Sequence, residues 1–229
     1  MCFGLFKSSI GKKMIVAVTG FILLGFVIVH MLGNLQIFLG QDQLNAYAEH
    51  IQELPFLLWP ARVFLLLTLL IHMTVAINLA IENKNARPIR YVHGDTVQAS
   101  FASRTMVMSG LIIFAFIVFH LLHFTFDKIH PEFSNLQDSK GRDDVYSMVV
   151  LSFRDPLIAV SYIAAMAVLC FHLSHGLSSF FQSLGLNNEG MRAKIKWAGY
   201  ALALIIFIGN SSMPLAALLG FLQLPKGVG

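Results

Sequence analysis

Nine histidines occur in this chain of 229 residues, and six of them (His30, His72, His120, His123, His172 and His175) fall in or at the ends of long apolar runs. An ionisable ring in such a run is costly to place and usually functional. A single one is readily explained as an imidazole bonded to a carbonyl or a neighbouring helix. Four successive runs that each carry one are not explained so easily. Zinc would need three or four ligands converging on one point. A proton relay would need carboxylates as well, and no Asp or Glu lies deep in these runs. Two neutral imidazoles facing each other from opposite helices suit haem, whose iron takes one axial ligand on each face and whose flat apolar ring fills a bundle core. No C-x-x-C-H occurs, which excludes covalent haem attachment.

Spacing sorts the histidines by depth. His30 lies 16 residues past Met14 and His120 lies 16 past Arg104, so each is about 24 Å from the same side. His72 is 10 residues before Glu82 and His172 is 10 before Gln182, about 15 Å from that side. This predicts two layers, an outer pair (His30 and His120) and an inner pair (His72 and His172), with two b haems stacked between them. His123 and His175, three residues beyond His120 and His172, share their faces and are the alternative ligands. Otherwise they are propionate contacts, supports for a ligand or structural histidines. Thr19-Gly20 and Ser109-Gly110 each precede a histidine, with eleven residues from hydroxyl to ring, so hydroxyl and ring share one helix face. The glycines suit either the close approach of a haem edge or ordinary small-residue helix packing.

The elements that must hold these rings are membrane spans. Hydrophobic residues make up 56% of the chain and charged ones 12%, against roughly 25% charged in soluble domains. About 20 apolar residues cross a bilayer, and five stretches qualify: 14–33, 61–81, 105–126, 156–181 and 195–219. The expected fold is therefore an all-α membrane protein in one domain, residues 1–229, whose first four spans form the bundle. The fifth holds Asn210, Ser211, Ser212 and Pro214, so it is expected to kink or to end near Gly209. The first is too long for a signal peptide's apolar region and is read as retained. Although the pI is near 9.2, the charges lie in the gaps between runs, which argues against nucleic acid. Lys7, Lys12, Lys13, Lys84, Arg87, Arg90, Arg104, Arg192, Lys194 and Lys196 gather on one side, and most acids on the other. By the positive-inside rule the N-terminus is cytoplasmic and the C-terminus outside, in a cell's inner membrane.

His30-Met-Leu-Gly-Asn34, the His72 span followed by Asn85-Ala-Arg-Pro88, His120-Leu-Leu-His-Phe-Thr125 and Phe171-His-Leu-Ser-His-Gly-Leu177 occur in order. In these the chain resembles the dihaem cytochrome b anchor of succinate:quinone oxidoreductases, the succinate dehydrogenases and fumarate reductases. The resemblance implies a flavoprotein with FAD and an iron–sulfur protein docked on the cytoplasmic side. It implies electron transfer between them and a membrane quinone through two haems, with His30 and His120 on the outer iron and His72 and His172 on the inner. No succinate chemistry belongs to this chain, which lacks a glycine-rich nucleotide turn and a cysteine cluster. The implied quinone site near the outer haem would draw on Glu49, Glu53 and Trp59, unless Asp42–Leu54 is simply a solvated loop helix. Arg62 and Arg154 at outer span ends would meet outer propionates or serve as topological anchors. Where some relatives carry a buried glutamate two positions before the inner-haem histidine, this chain has Cys170. Two other functions fit less of the pattern: the haem b subunit of a hydrogenase or formate dehydrogenase, and a non-redox transporter.

Overall fold

The computed structural model describes residues 8–86, 105–186 and 188–225, so Lys7, Arg87, Pro88, Arg90 and Arg104 lie outside the described residues. Five helices are long and apolar enough to cross a membrane: α1 (Ser9–Asn34), α3 (Pro55–Asn85), α4 (Met106–Phe124), α6 (Pro156–Ser183) and α7 (Glu189–Leu218). Two shorter ones, α2 (Gln41–Gln52) and α5 (Val145–Arg154), lie in the connections. No strand occurs among the described residues, and the chain is an all-α membrane protein.

Local chemistry sets the ends. Ser8 caps α1 by accepting from the Gly11 amide at 3.0 Å. Asp155 caps α6 by accepting from the Leu157 amide at 2.8 Å, with Pro156 in the first turn, where its missing N–H costs nothing. Helix α3 likewise opens on Pro55 and carries Pro60 inside it, six residues ahead of the expected start at 61. Helix α7 begins at Glu189 behind an Asn188 cap and runs without a break past Gly209, which corrects the expectation that it ends there. Two of its polar residues are absorbed by the helix: Asn210 Nδ2 donates to the Ile206 carbonyl at 2.9 Å and Ser212 Oγ to that of Gly209 at 2.7 Å. Gly209 is where Met31 of α1 lies, and a Cβ there would collide with the Met31 sulfur.

Lys12 of α1 pairs with Glu82 of α3, so the start of one span is level with the end of the other, at what we call the N-terminal face. The four helices α1, α3, α4 and α6 form a square. Its edges are α1–α3, α3–α4, α4–α6 and α6–α1, while the diagonals α1–α4 and α3–α6 do not pack closely. Helix α7 lies outside, mainly along α6. Side chains such as Val29 (64% exposed) and Leu157 (77%) point away from the bundle, as lipid-facing residues must. The contiguous core, with Ile37, Val150, Phe153, Tyr162 and Ala217, sits at the far face rather than mid-bundle.

A polar cap closes that far face. Asn45 of α2, fully buried, donates to Asp144 Oδ1 at 3.0 Å and Asp138 Oδ2 at 3.2 Å and accepts from the Tyr146 amide at 3.0 Å. Arg142 bridges Asp138 and Asp42, and Lys140 also reaches Asp42. Burial alone would raise the Asp138 carboxyl pKa. The hydrogen bonds from Arg142, Asn45 and the Lys140 amide outweigh it and hold the group well below its usual range.

Candidate functional site

The histidines sit on the diagonals. His30 of α1 and His120 of α4 face each other across the square with ring centres 5.8 Å apart and planes at 84°. This is the far pair. His72 of α3 and His172 of α6 form the near pair, close enough to influence one another electrostatically. The bundle brings His30 and His120 together, as depth led one to expect.

The near pair is held by neighbouring helices. Thr19 Oγ1 lies 3.0 Å from His72 Nδ1, and Ser109 Oγ lies 3.0 Å from His172 Nδ1. Each hydroxyl has one proton, and each gives it to its own helix: Thr19 to the Ile15 carbonyl at 2.6 Å, Ser109 to that of Met106 at 3.0 Å. With its proton placed there, the hydroxyl oxygen accepts from the ring, an arrangement that favours the imidazole with its proton on Nδ1. That leaves Nε2 with a bare lone pair, the form that binds a metal. The eleven residues from Thr19 to His30 and from Ser109 to His120 put about 16 Å of helix axis between anchor and far ring. The hydroxyl–glycine signal thus serves the histidine of the next membrane-spanning helix, not the one that follows it in sequence. Beside each hydroxyl, the glycine makes room for that ring. A Cβ on Gly20 would stand 3.0 Å from His72 Cε1, and one on Gly110 would stand 3.5 Å from His172 Cε1.

The far pair is held differently. Asn34 Nδ2 contacts His30 Nε2 at 3.0 Å, so the amide must release that nitrogen before a metal can take it. His120 Nδ1 lies 3.4 Å from the Tyr162 hydroxyl. His123 does not face α1: it is buried, with Nδ1 2.9 Å from the same hydroxyl and its ring stacked on Phe124. His175 lies one turn beyond His172 toward the N-terminal face, half-buried. Tyr162 carried no signal in the sequence, since an apolar-run tyrosine reads as packing.

The far pair has the spacing to hold one metal between two imidazoles. An imidazole nitrogen sits about 2 Å from a metal it binds, so trans ligands place ring centres roughly 6–6.5 Å apart, near the 5.8 Å of the far pair. Unpacked diagonals suit a flat ring lying across the bundle. Among the described residues no three or more His, Cys, Asp or Glu converge as a metal cluster. The remaining candidates are scattered over the far surface. Arg62 lies over the Trp59 ring at 5.1 Å. Glu49 and Glu53 are exposed on and just after α2, and Arg154 is exposed at the end of α5. No known protein family, curated protein or solved structure matches this chain.

Proposed function

We propose that this chain is the dihaem cytochrome b membrane anchor of a succinate:quinone oxidoreductase, passing electrons between a flavoprotein–iron–sulfur unit and membrane quinone. One observation carries the reading: two histidine pairs at two depths, each spanning a different unpacked diagonal, with a hydroxyl of a neighbouring helix 3.0 Å from the Nδ1 of each near ring. His30 and His120 would hold one b haem, His72 and His172 the other. When bound, the haems would supply one-electron chemistry. Thr19 and Ser109 orient the near ligands, and Tyr162 steadies His120. The apolar outer faces keep water and ions from the interior. Glu49, Glu53 and Trp59, with Arg62 beside the ring, supply the quinone end with carboxylates for proton exchange, and Arg62 and Arg154 offer cations to propionates. Lys12, Lys13, Lys84, Arg192, Lys194 and Lys196 give the N-terminal face the positive charge that an iron–sulfur partner on the cytoplasmic side would meet. The C-terminus is then outside.

The test is haem content per chain, by pyridine haemochrome and a reduced-minus-oxidised spectrum, on the parent, His30→Ala and His72→Ala. Two b haems are expected in the parent, with each variant losing a different one. A colourless parent expressed with ample haem would end the electron-transfer reading. A co-purifying hydrogenase in place of a flavoprotein would reassign the partner.

A further inference from the structure

The Tyr162 hydroxyl stands between two imidazoles. It lies 2.9 Å from His123 Nδ1 and 3.4 Å from His120 Nδ1. Among the described residues these two nitrogens are its hydrogen-bond partners. The tyrosine is 6% exposed and His123 2%, so water does not substitute for either ring. Phe116 and Phe153 pack edge-on against the phenol with centroids 5.0 and 4.9 Å away. They fix the ring and leave the O–H free to turn. The other nitrogen of His123, Nε2, is buried without a partner. An imidazole buried on one bond, to the tyrosine beside a candidate ligand, is costly as packing alone.

The hydroxyl has one proton and two neighbours, so what it gives to one ring it withholds from the other. A neutral imidazole that binds a metal through Nε2 keeps its proton on Nδ1. If His120 is such a ligand, its Nδ1–H needs an acceptor, and the tyrosine oxygen is in place to accept. The phenolic proton must then go elsewhere, and His123 Nδ1, on the shorter contact, is there to take it. We propose that His123 is a positioning residue for the far ligand: by accepting the Tyr162 proton it keeps the phenol an acceptor toward His120. The inference rests on the ligation proposed above. Without His123 the hydroxyl has one partner left. Donating to His120 Nδ1 would favour the ring with its proton on Nε2, the form that does not bind a metal there. The tyrosine would turn from a support into a competitor. A His123 that merely fills space has no such effect through Tyr162.

The experiment is haem titration of the full-chain apoprotein in detergent, followed in the Soret band. The far component is assigned by its absence from His30→Ala. His123→Leu should weaken far-haem binding at least about tenfold and leave the near component unchanged. Tyr162→Phe, which removes support and competitor together, should weaken it less. The double variant should therefore bind the far haem more tightly than His123→Leu does. Parent-like far-haem binding in His123→Leu, or a double variant no better than that single one, would overturn the inference. Should the melting transition show that His123→Leu does not fold, ¹⁵N NMR of the reduced, histidine-labelled parent decides. The non-ligand imidazole whose signals move in Tyr162→Phe should carry its proton on Nε2, and a proton on Nδ1 would overturn the inference. A colourless parent would end the haem reading and this inference with it; two haems without rescue would end this inference alone.

Discussion

Replacing Thr19 by valine keeps the shape of a side chain that is 9% exposed and removes its hydroxyl. The His72 Nδ1–H, 3.0 Å from that oxygen, loses its acceptor, and the ring loses the bond that selects its tautomer. Removing the partner of a metal-binding imidazole typically weakens metal affinity about 10–100-fold, or about 1.4–2.8 kcal/mol. The same range follows from stranding a buried donor, about 1–3 kcal/mol. The control is Thr68→Val, because Thr68 is also buried and its hydroxyl donates to the Phe64 carbonyl at 2.7 Å. Haem titration of the apoprotein, followed in the Soret band with the components resolved by redox potential, should show Thr19→Val losing occupancy of one haem only. Thr68→Val should match the parent. If Thr19→Val binds both haems as the parent does, or if Thr68→Val loses as much, the hydroxyl does not set the ligand.

The glycines give a graded version of that test: Gly20→Ala brings a methyl to 3.0 Å from His72 and should lower haem content, whereas Gly110→Ala, at 3.5 Å from His172, should be tolerated. Asn45→Ala removes three hydrogen bonds from a fully buried site and should cost about 3 kcal/mol in a melting experiment. A loss under about 0.5 kcal/mol would show that the cap is not structural. Because the Asp138 carboxyl is held below its ordinary value, its contribution is complete above the unfolded pKa of about 3.9 and is lost as pH falls through the lower folded value. Hydrogen exchange at residues 138–147 should therefore stay slow at pH 5, and opening of the cap between pH 7 and 5 would contradict this.

Helix number and the meeting of His30 with His120 were legible because each follows from a one-dimensional quantity, run length or spacing. Boundaries were harder. Pro60 looks like a start, yet α3 absorbs it and opens at Pro55. Arg192, Lys194 and Lys196 look like loop, yet they extend α7 past the apolar stretch. The far-face cap was not legible, because Asn45 meets Asp144 across 99 residues and only the fold makes them neighbours. Tyr162 was missed for the same reason, as its role depends on which rings α4 turns toward it. The hydroxyl–glycine pattern was visible, but the ring it serves belongs to another helix.

The square of α1, α3, α4 and α6 touches along its edges and not across its corners. A frame joined only at its edges shears easily. A rigid plate fastened at opposite corners is a brace, and two plates on opposite diagonals at different heights resist shear in both senses. On the proposed ligation, each cofactor would stiffen the pair of helices that the polypeptide leaves slack. The two braces would act on different diagonals, so loss of one would slacken its own pair of helices and leave the other pair held.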